Sequence, residues 1–286
     1  MLGLIIKCIA GQYTVRAGEN DYVCSARGRF RNSEISPTVG DRVEFDRNSI
    51  LEIMPRKNLL VRPPVANVDT LIITLAVKKP NPDLMLADYL ICYCRMLNIE
   101  PIICINKSDY SESDAKSLAQ QYEKSGLHAY ITSANDEKSV KKMCDGINEG
   151  ITCFCGQSAV GKSSLTNMLL GRDMFLTGGL SKKTERGRHT TRHTELVEFG
   201  RGKYLADTPG FSLLEVPALE PDKLKELYFE FVPYEGKCRF NGCNHVNEPD
   251  CAVKAAVENG ILSKERYDRY KEIFARIDEK WRRRYD

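Results

Sequence analysis

At 286 residues the chain is long enough for two or three domains, with cores that need no covalent staples. Charged residues make up 28% and the hydrophobic set 42%, a globular balance that excludes wholesale disorder, and no apolar run approaches the length of a membrane span. The net charge of +3 is too small for a global basic field, so any nucleic-acid surface has to be a local patch.

Residues 1–65 read as short strands separated by turns, at 4–9, 13–15, 22–26, 43–45 and 50–54. Five such strands without helices suggest a small barrel of the oligonucleotide-binding (OB) type. Arg27, Arg29 and Arg31 alternate there; on a strand they would share one face and suit a phosphate backbone, so they are candidate RNA contacts. Residues 56–64, ending in Pro63-Pro64, look like a linker. Met1-Leu2-Gly3-Leu4 lacks the basic stretch and cleavage site of a secretory signal. Of eleven cysteines, eight sit in apolar stretches, the usage of a reducing cytoplasm.

From residue 66 to about 214 strands and helices alternate, the mark of a parallel sheet. Residues 68–77 form a continuous apolar strand, and Asn81-Pro82 is expected to cap and open a helix. A strand at 101–105 leads into Asn106-Lys107-Ser108-Asp109. Asp109 can accept from the N1–H and 2-amino group of guanine, with Asn106 and Lys107 bracing the loop. Thr132-Ser133-Ala134 ends the next strand, where backbone N–H groups of Ser133 and Ala134 can meet the guanine oxygen. A strand at 151–155 precedes Gly156-Gln157-Ser158-Ala159-Val160-Gly161-Lys162-Ser163, which fits G-x-x-x-x-G-K-[ST]. With Ser164, this loop and the helix after it offer converging N–H groups, a lysine for the β- and γ-phosphates and the Ser163 hydroxyl for Mg²⁺. Asp207-Thr208-Pro209-Gly210 ends another strand, with Asp207 for the Mg²⁺ shell and Gly210 for the γ-phosphate. Each of the shorter motifs is weak alone, but four at the carboxyl ends of parallel strands reinforce one another.

Residues 215–286 read as helical, with a long helix from Ser263 whose Tyr267, Tyr270, Phe274, Ile277 and Trp281 form a core-facing seam. Between them Cys238, Cys243, His245 and Cys251 supply a Cys₃His set suited to one structural zinc.

The motifs resemble those of Ras-like GTPases in a rotated order: N-K-S-D and T-S-A precede the phosphate loop and D-T-P-G. The chain is therefore similar to a circularly permuted GTPase. Barrel, permuted GTPase and C-x4-C-x-H-x5-C cluster in that order, with Gly187-Arg188-His189-Thr190-Thr191, resemble the ribosome small-subunit-dependent GTPase A family (RsgA, YjeQ, YloQ) over nearly the whole chain. That resemblance implies a monomeric cytoplasmic enzyme that hydrolyses GTP to GDP late in 30S maturation, with barrel and zinc domain on 16S rRNA. Phe211 stands where Ras-like enzymes carry a water-orienting glutamine. The resemblance points to His189 as the substitute, and Thr191 is the preferred second Mg²⁺ ligand. Ala159 replaces a glycine common in the family, and is expected to fit if its backbone has negative φ. The other reading is a nucleic-acid-binding P-loop NTPase acting on another RNA or ribosomal particle.

Overall fold

The computed structural model describes residues 1–26, 28–31, 35–61, 63–171, 194–207 and 219–283, with the backbone alone for Arg29, Arg31 and Asp207. Five strands come first: β1 (Leu2–Ile9), β2 (Gln12–Ala17), β3 (Asn20–Ala26), β4 (Arg42–Phe45) and β5 (Ser49–Ile53). They close in the order β1-β2-β3-β5-β4-β1, with β3 and β5 parallel and the other pairs antiparallel. Alternation sends Ile5, Val15, Cys24, Val43, Phe45 and Ile50 to the interior, which closes the barrel around one core.

Two expectations for this part are corrected. Gly28–Arg31 is a 3₁₀ turn, not a continuation of β3. Arg29 and Arg31 therefore do not share a strand face, and Arg27 lies outside the described residues. The strand stops because β5 pairs with β3 only as far as Ala26, and the half-buried Phe30 folds back onto the barrel core. Residues 56–64 are no loose linker either. β6 (Leu59–Val61) and β7 (Pro64–Ala66) form a hairpin with Leu60 and Val65 fully buried. Arg56 grips the buried Asp41 of the barrel with Nε and Nη2, at 2.7 and 2.8 Å.

The next elements are β8 (Val68–Ala76), α1 (Leu84–Met96), β9 (Glu100–Asn106), α2 (Glu112–Glu123), β10 (His128–Ile131), α3 (Glu137–Asp145), β11 (Gly150–Cys155), α4 (Lys162–Leu170), β12 (Glu195–Gly200) and β13 (Lys203–Asp207). The sheet runs β10-β9-β8-β11-β13-β12, parallel except for the β12–β13 hairpin, and continues through β12 into β1 of the barrel. Leu71, Ile73 and Leu75 of β8 face α1 and α2, while Ile72 faces α3 and α4, so both sheet faces are covered. Helix α1 begins two residues later than Asn81-Pro82 suggested, because the Asp83 carboxylate accepts from Leu86 N at 2.9 Å and makes Asp83 the cap.

The C-terminal part holds two 3₁₀ segments, Pro221–Leu227 and Phe229–Tyr234, followed by α5 (Ala252–Glu258) and α6 (Lys264–Arg282), which Ser263 caps. The tyrosine seam is a core: Tyr267 and Tyr270 are buried with Tyr228, Phe231 and Ile273, and Phe274 and Ile277 pack against them. Among the described residues no helix is long and apolar enough to cross a membrane.

Candidate functional site

The carboxyl ends of β9, β10, β11 and β13 lie along one edge of the sheet, and the strand order places the loop after β8 between those after β9 and β11. The phosphate loop leaves β11 through Gly156 at φ +125, and a Cβ there would stand 2.3 Å from Thr74 O. It enters α4 through Gly161 at φ +100, where a Cβ would stand 2.3 Å from Asn106 Nδ2. Both positions need glycine, for conformation and for space. Ala159 between them has φ +63, so the expected negative φ is overturned: a left-handed turn is imposed on an alanine. Lys162 folds back over the loop, donating to Gly156 O and Gln157 O at 2.7 Å each, and partial burial lowers the pKa of its ammonium. Ser163 is exposed in the first turn of α4, with Ser164 half-buried beside it.

Asn106 is fully buried and donates from Nδ2 to Val160 O at 2.8 Å. Lys107, left-handed at φ 60, donates from Nζ to Ala159 O at 2.8 Å and to Lys79 O at 2.5 Å. These two side chains tie the base loop to the phosphate loop. Ser108 N donates to Thr132 O at 3.1 Å, which binds the base loop to the loop after β10. There Ser133 Oγ donates to Asp109 Oδ1 at 2.7 Å and accepts from Asn135 N at 3.1 Å, fixing the exposed Asp109 carboxylate beside Ala134. Gln157, Ser158, Val160 and Gly161 lie in the same loop as Lys162. Asp207 stands at the end of β13, next to β11. Gly210, His189 and Thr191 lie outside the described residues.

Sequence reasoning missed the loop after β8. The Lys79 carbonyl receives Lys107, and Asp83 N donates to Gln157 Oε1 at 3.3 Å, so residues 79–83 wall the site between base and phosphate loops. Their one signal was position: they follow the carboxyl end of a central parallel strand.

In the C-terminal part the ligand atoms of Cys238, Cys243, His245 and Cys251 all lie within 4.8 Å of one another. Cys238 Sγ is 3.6 Å from His245 Nδ1 and 3.9 Å from Cys251 Sγ, and His245 Nδ1 is 3.3 Å from Cys251 Sγ. Tetrahedral zinc, with Zn–S of about 2.3 Å and Zn–N of about 2.0–2.1 Å, sets such atoms roughly 3.5–3.8 Å apart, so the donor set fits that ion. The surroundings hold the set in place. His245 N and Ala252 N donate to Cys243 Sγ and Cys238 Sγ at 3.4 Å, and Tyr267 Oη donates to His245 O at 2.7 Å.

Residues 53–217 match the family model described as RsgA GTPase, and residues 2–50 match that of the RsgA N-terminal domain. A protein of Caldanaerobacter subterraneus subsp. tengcongensis named small ribosomal subunit biogenesis GTPase RsgA is 43% identical, over 99% of this chain and 98% of its own. A protein of the same name from Ruminiclostridium cellulolyticum is 41% identical, over 96% and 92%. The crystal structure of YloQ, a circularly permuted GTPase, superposes with a TM-score of 0.80 at 33% identity, covering 98% of this chain and 95% of that one. YjeQ from Thermotoga maritima gives 0.78 at 34% identity, covering 96% and 98%.

Proposed function

The chain belongs to the RsgA GTPase family, and on that premise we propose that it binds GTP across the loops after β8, β9, β10 and β11, hydrolyses it to GDP and phosphate, and serves late maturation of the small ribosomal subunit. The observation that carries the nucleotide reading is the knot formed by Asn106 and Lys107. Both donate into the phosphate loop, so a base held by Asp109 and phosphates held at 156–164 share one rigid frame.

In this reading Lys162 exchanges its loop carbonyls for β- and γ-phosphate oxygens, and Ala134 presents its N–H group to the guanine oxygen, while the Ser133 N–H donates to Ser139 Oγ at 3.2 Å and would have to leave it to join in. Gly210 meets the γ-phosphate. Ser163, Thr191 and Asp207 would hold Mg²⁺ directly or through its shell, and the ion would supply neutralisation of phosphate charge. His189 orients the attacking water, because Phe211 after D-T-P-G has no group to do so. Cys238, Cys243, His245 and Cys251 would hold one zinc, which would supply a structural clamp on the 238–251 loop.

The functional units are 1–65, an RNA-binding barrel; 66–214, the permuted GTPase; and 215–286, the zinc-binding domain. Their partner is 16S rRNA in the 30S subunit, and the protein works as a cytoplasmic monomer. Turnover of GTP should rise with purified 30S subunits, not with 50S subunits, and GTP rather than ATP should compete for the site. No stimulation at saturating 30S would refute the ribosomal reading.

A further inference from the structure

Helix α1 belongs to two cores at once. Ala87, Leu90, Ile91 and Cys94 pack on the sheet, whereas Cys92 lies in the C-terminal core with Met85 and Tyr89 against it. The N-terminal end of α1 stands in the nucleotide site, through Lys79 O to Lys107 and Asp83 N to Gln157. Its middle enters a buried joint of four charges. Asp88, 0% exposed, accepts from Arg266 Nη1 and, at 2.5 Å, from Arg269 Nε. Arg266, 1% exposed, also donates from Nε to Glu230 Oε1 at 2.5 Å. The Arg266 guanidinium lies 4.8 Å from the ring centroid of Tyr228 and 5.6 Å from that of Tyr122. Two carboxylates and two guanidiniums cancel. Such buried pairs gain little over apolar packing, but each guanidinium spans two partners, Arg266 joining Asp88 to Glu230 and Arg269 joining Asp88 to Gln121, so the joint fixes orientation.

We propose that α1 transmits the state of the phosphate loop to the C-terminal domain, with Asp88 as the positioning residue that couples them. The inference rests on the nucleotide-site reading above. A shift of the phosphate loop that carries Gln157 with it tilts the start of α1, and the joint passes the tilt to α6.

The test is amide hydrogen exchange on the full chain with GDP and with a non-hydrolysable GTP analogue. Exchange across 84–96 and across 264–282 should change together between the two nucleotides, by about fivefold or more, the lower end of ordinary allosteric coupling. Asp88→Asn should bind GDP within about threefold of wild type, yet its α6 response should fall below about twofold. Arg269→Lys keeps the charge, cannot span Asp88 and Gln121 with one planar group, and should cut the response by about half or more; it serves if Asp88→Asn does not fold. A full α6 response in either folded variant overturns the proposal. So does a wild-type chain in which 264–282 responds while 84–96 does not, or in which neither responds with nucleotide bound. Failure to bind either nucleotide would instead overturn the nucleotide-site reading.

Discussion

A carboxylate that accepts from both N1–H and the 2-amino group of guanine defines the base by its charge pattern, and Ser133 holds that carboxylate in place from the next loop. Asp109→Asn presents a donor and an acceptor instead, the pattern that xanthine matches. Preference should pass from guanine to xanthine nucleotides, with discrimination of about 10⁴–10⁵ at a site built on such bonds. Competition binding with GDP and XDP reads the change, and undiminished GDP affinity would refute the base assignment. Ala159 makes a different kind of prediction. Its left-handed φ of +63 costs an L-residue roughly 1–2 kcal/mol, while glycine gives back roughly 0.5–1 kcal/mol in unfolded-chain freedom. The side chain is exposed, so no packing is lost. Ala159→Gly should therefore stabilise the nucleotide-free protein by about 0.5–1 kcal/mol, seen as a higher thermal midpoint; a lower one would contradict the strain. Asp109 was legible in the sequence because its chemistry is local to N-K-S-D. The strain at Ala159 was not, because φ depends on where the neighbouring loops hold the backbone.

Elements succeed or fail by what their ends meet. Asn106 closes on Val160 only because Gly161 leaves room, and Gly161→Ala would push a Cβ to 2.3 Å from Asn106 Nδ2. Breaking a buried hydrogen bond costs about 1–3 kcal/mol, so GDP affinity should fall roughly 10–100-fold while circular dichroism stays native; unchanged affinity would separate the Asn106 knot from nucleotide binding. The buried thiols of Cys92, Cys104 and Cys153 are pushed up to about 12 by desolvation. They should resist a thiol reagent at pH 8, since the thiolate is the reactive form. A strong zinc chelator should then add three reactive thiols, those of Cys238, Cys243 and Cys251; a count that stays flat would speak against a metal-held cluster. The central strands and helices were readable because β8, β9 and β11 are continuous apolar runs between turn signals. The β6–β7 hairpin was not. Its three-residue strands carry no period, and Arg56, Asn58 and Asn67 are polar residues whose partners lie elsewhere: Asp41, the Val68 backbone and Gly40.

At the scale of the molecule, the permutation decides where the flanking domains attach. β12 directly follows residues 172–193, which carry His189 and Thr191, and pairs with β1 of the barrel through Lys7 opposite Glu195. The Lys7–Glu195 ion pair, 2.6 Å and about one-third exposed on each side, adds little strength; the junction is held by burial, with Ile6 and Val39 of the barrel part sharing a core with Val68 and Leu196, and by Asn67 Nδ2 donating to Gly40 O at 2.9 Å. On the other side β13 ends at Asp207, and residues 208–218 connect it to the part that carries the Cys₃His set. If both segments contribute groups to Mg²⁺ and the γ-phosphate as proposed, each flanking domain is joined through the chain to the nucleotide site. A subunit surface that grips the barrel and the C-terminal part together would select one arrangement of the two. By linkage, the nucleotide favouring that arrangement is itself held more tightly on the subunit. The 30S subunit should accordingly bind the protein about 5–150-fold more tightly with a non-hydrolysable GTP analogue than with GDP. His189→Ala should keep GTP affinity, lose subunit-stimulated turnover, and remain on the subunit after GTP addition. Sedimentation of 30S complexes with each nucleotide measures both effects, and equal affinity in the two states would exclude a docking cycle gated by the γ-phosphate.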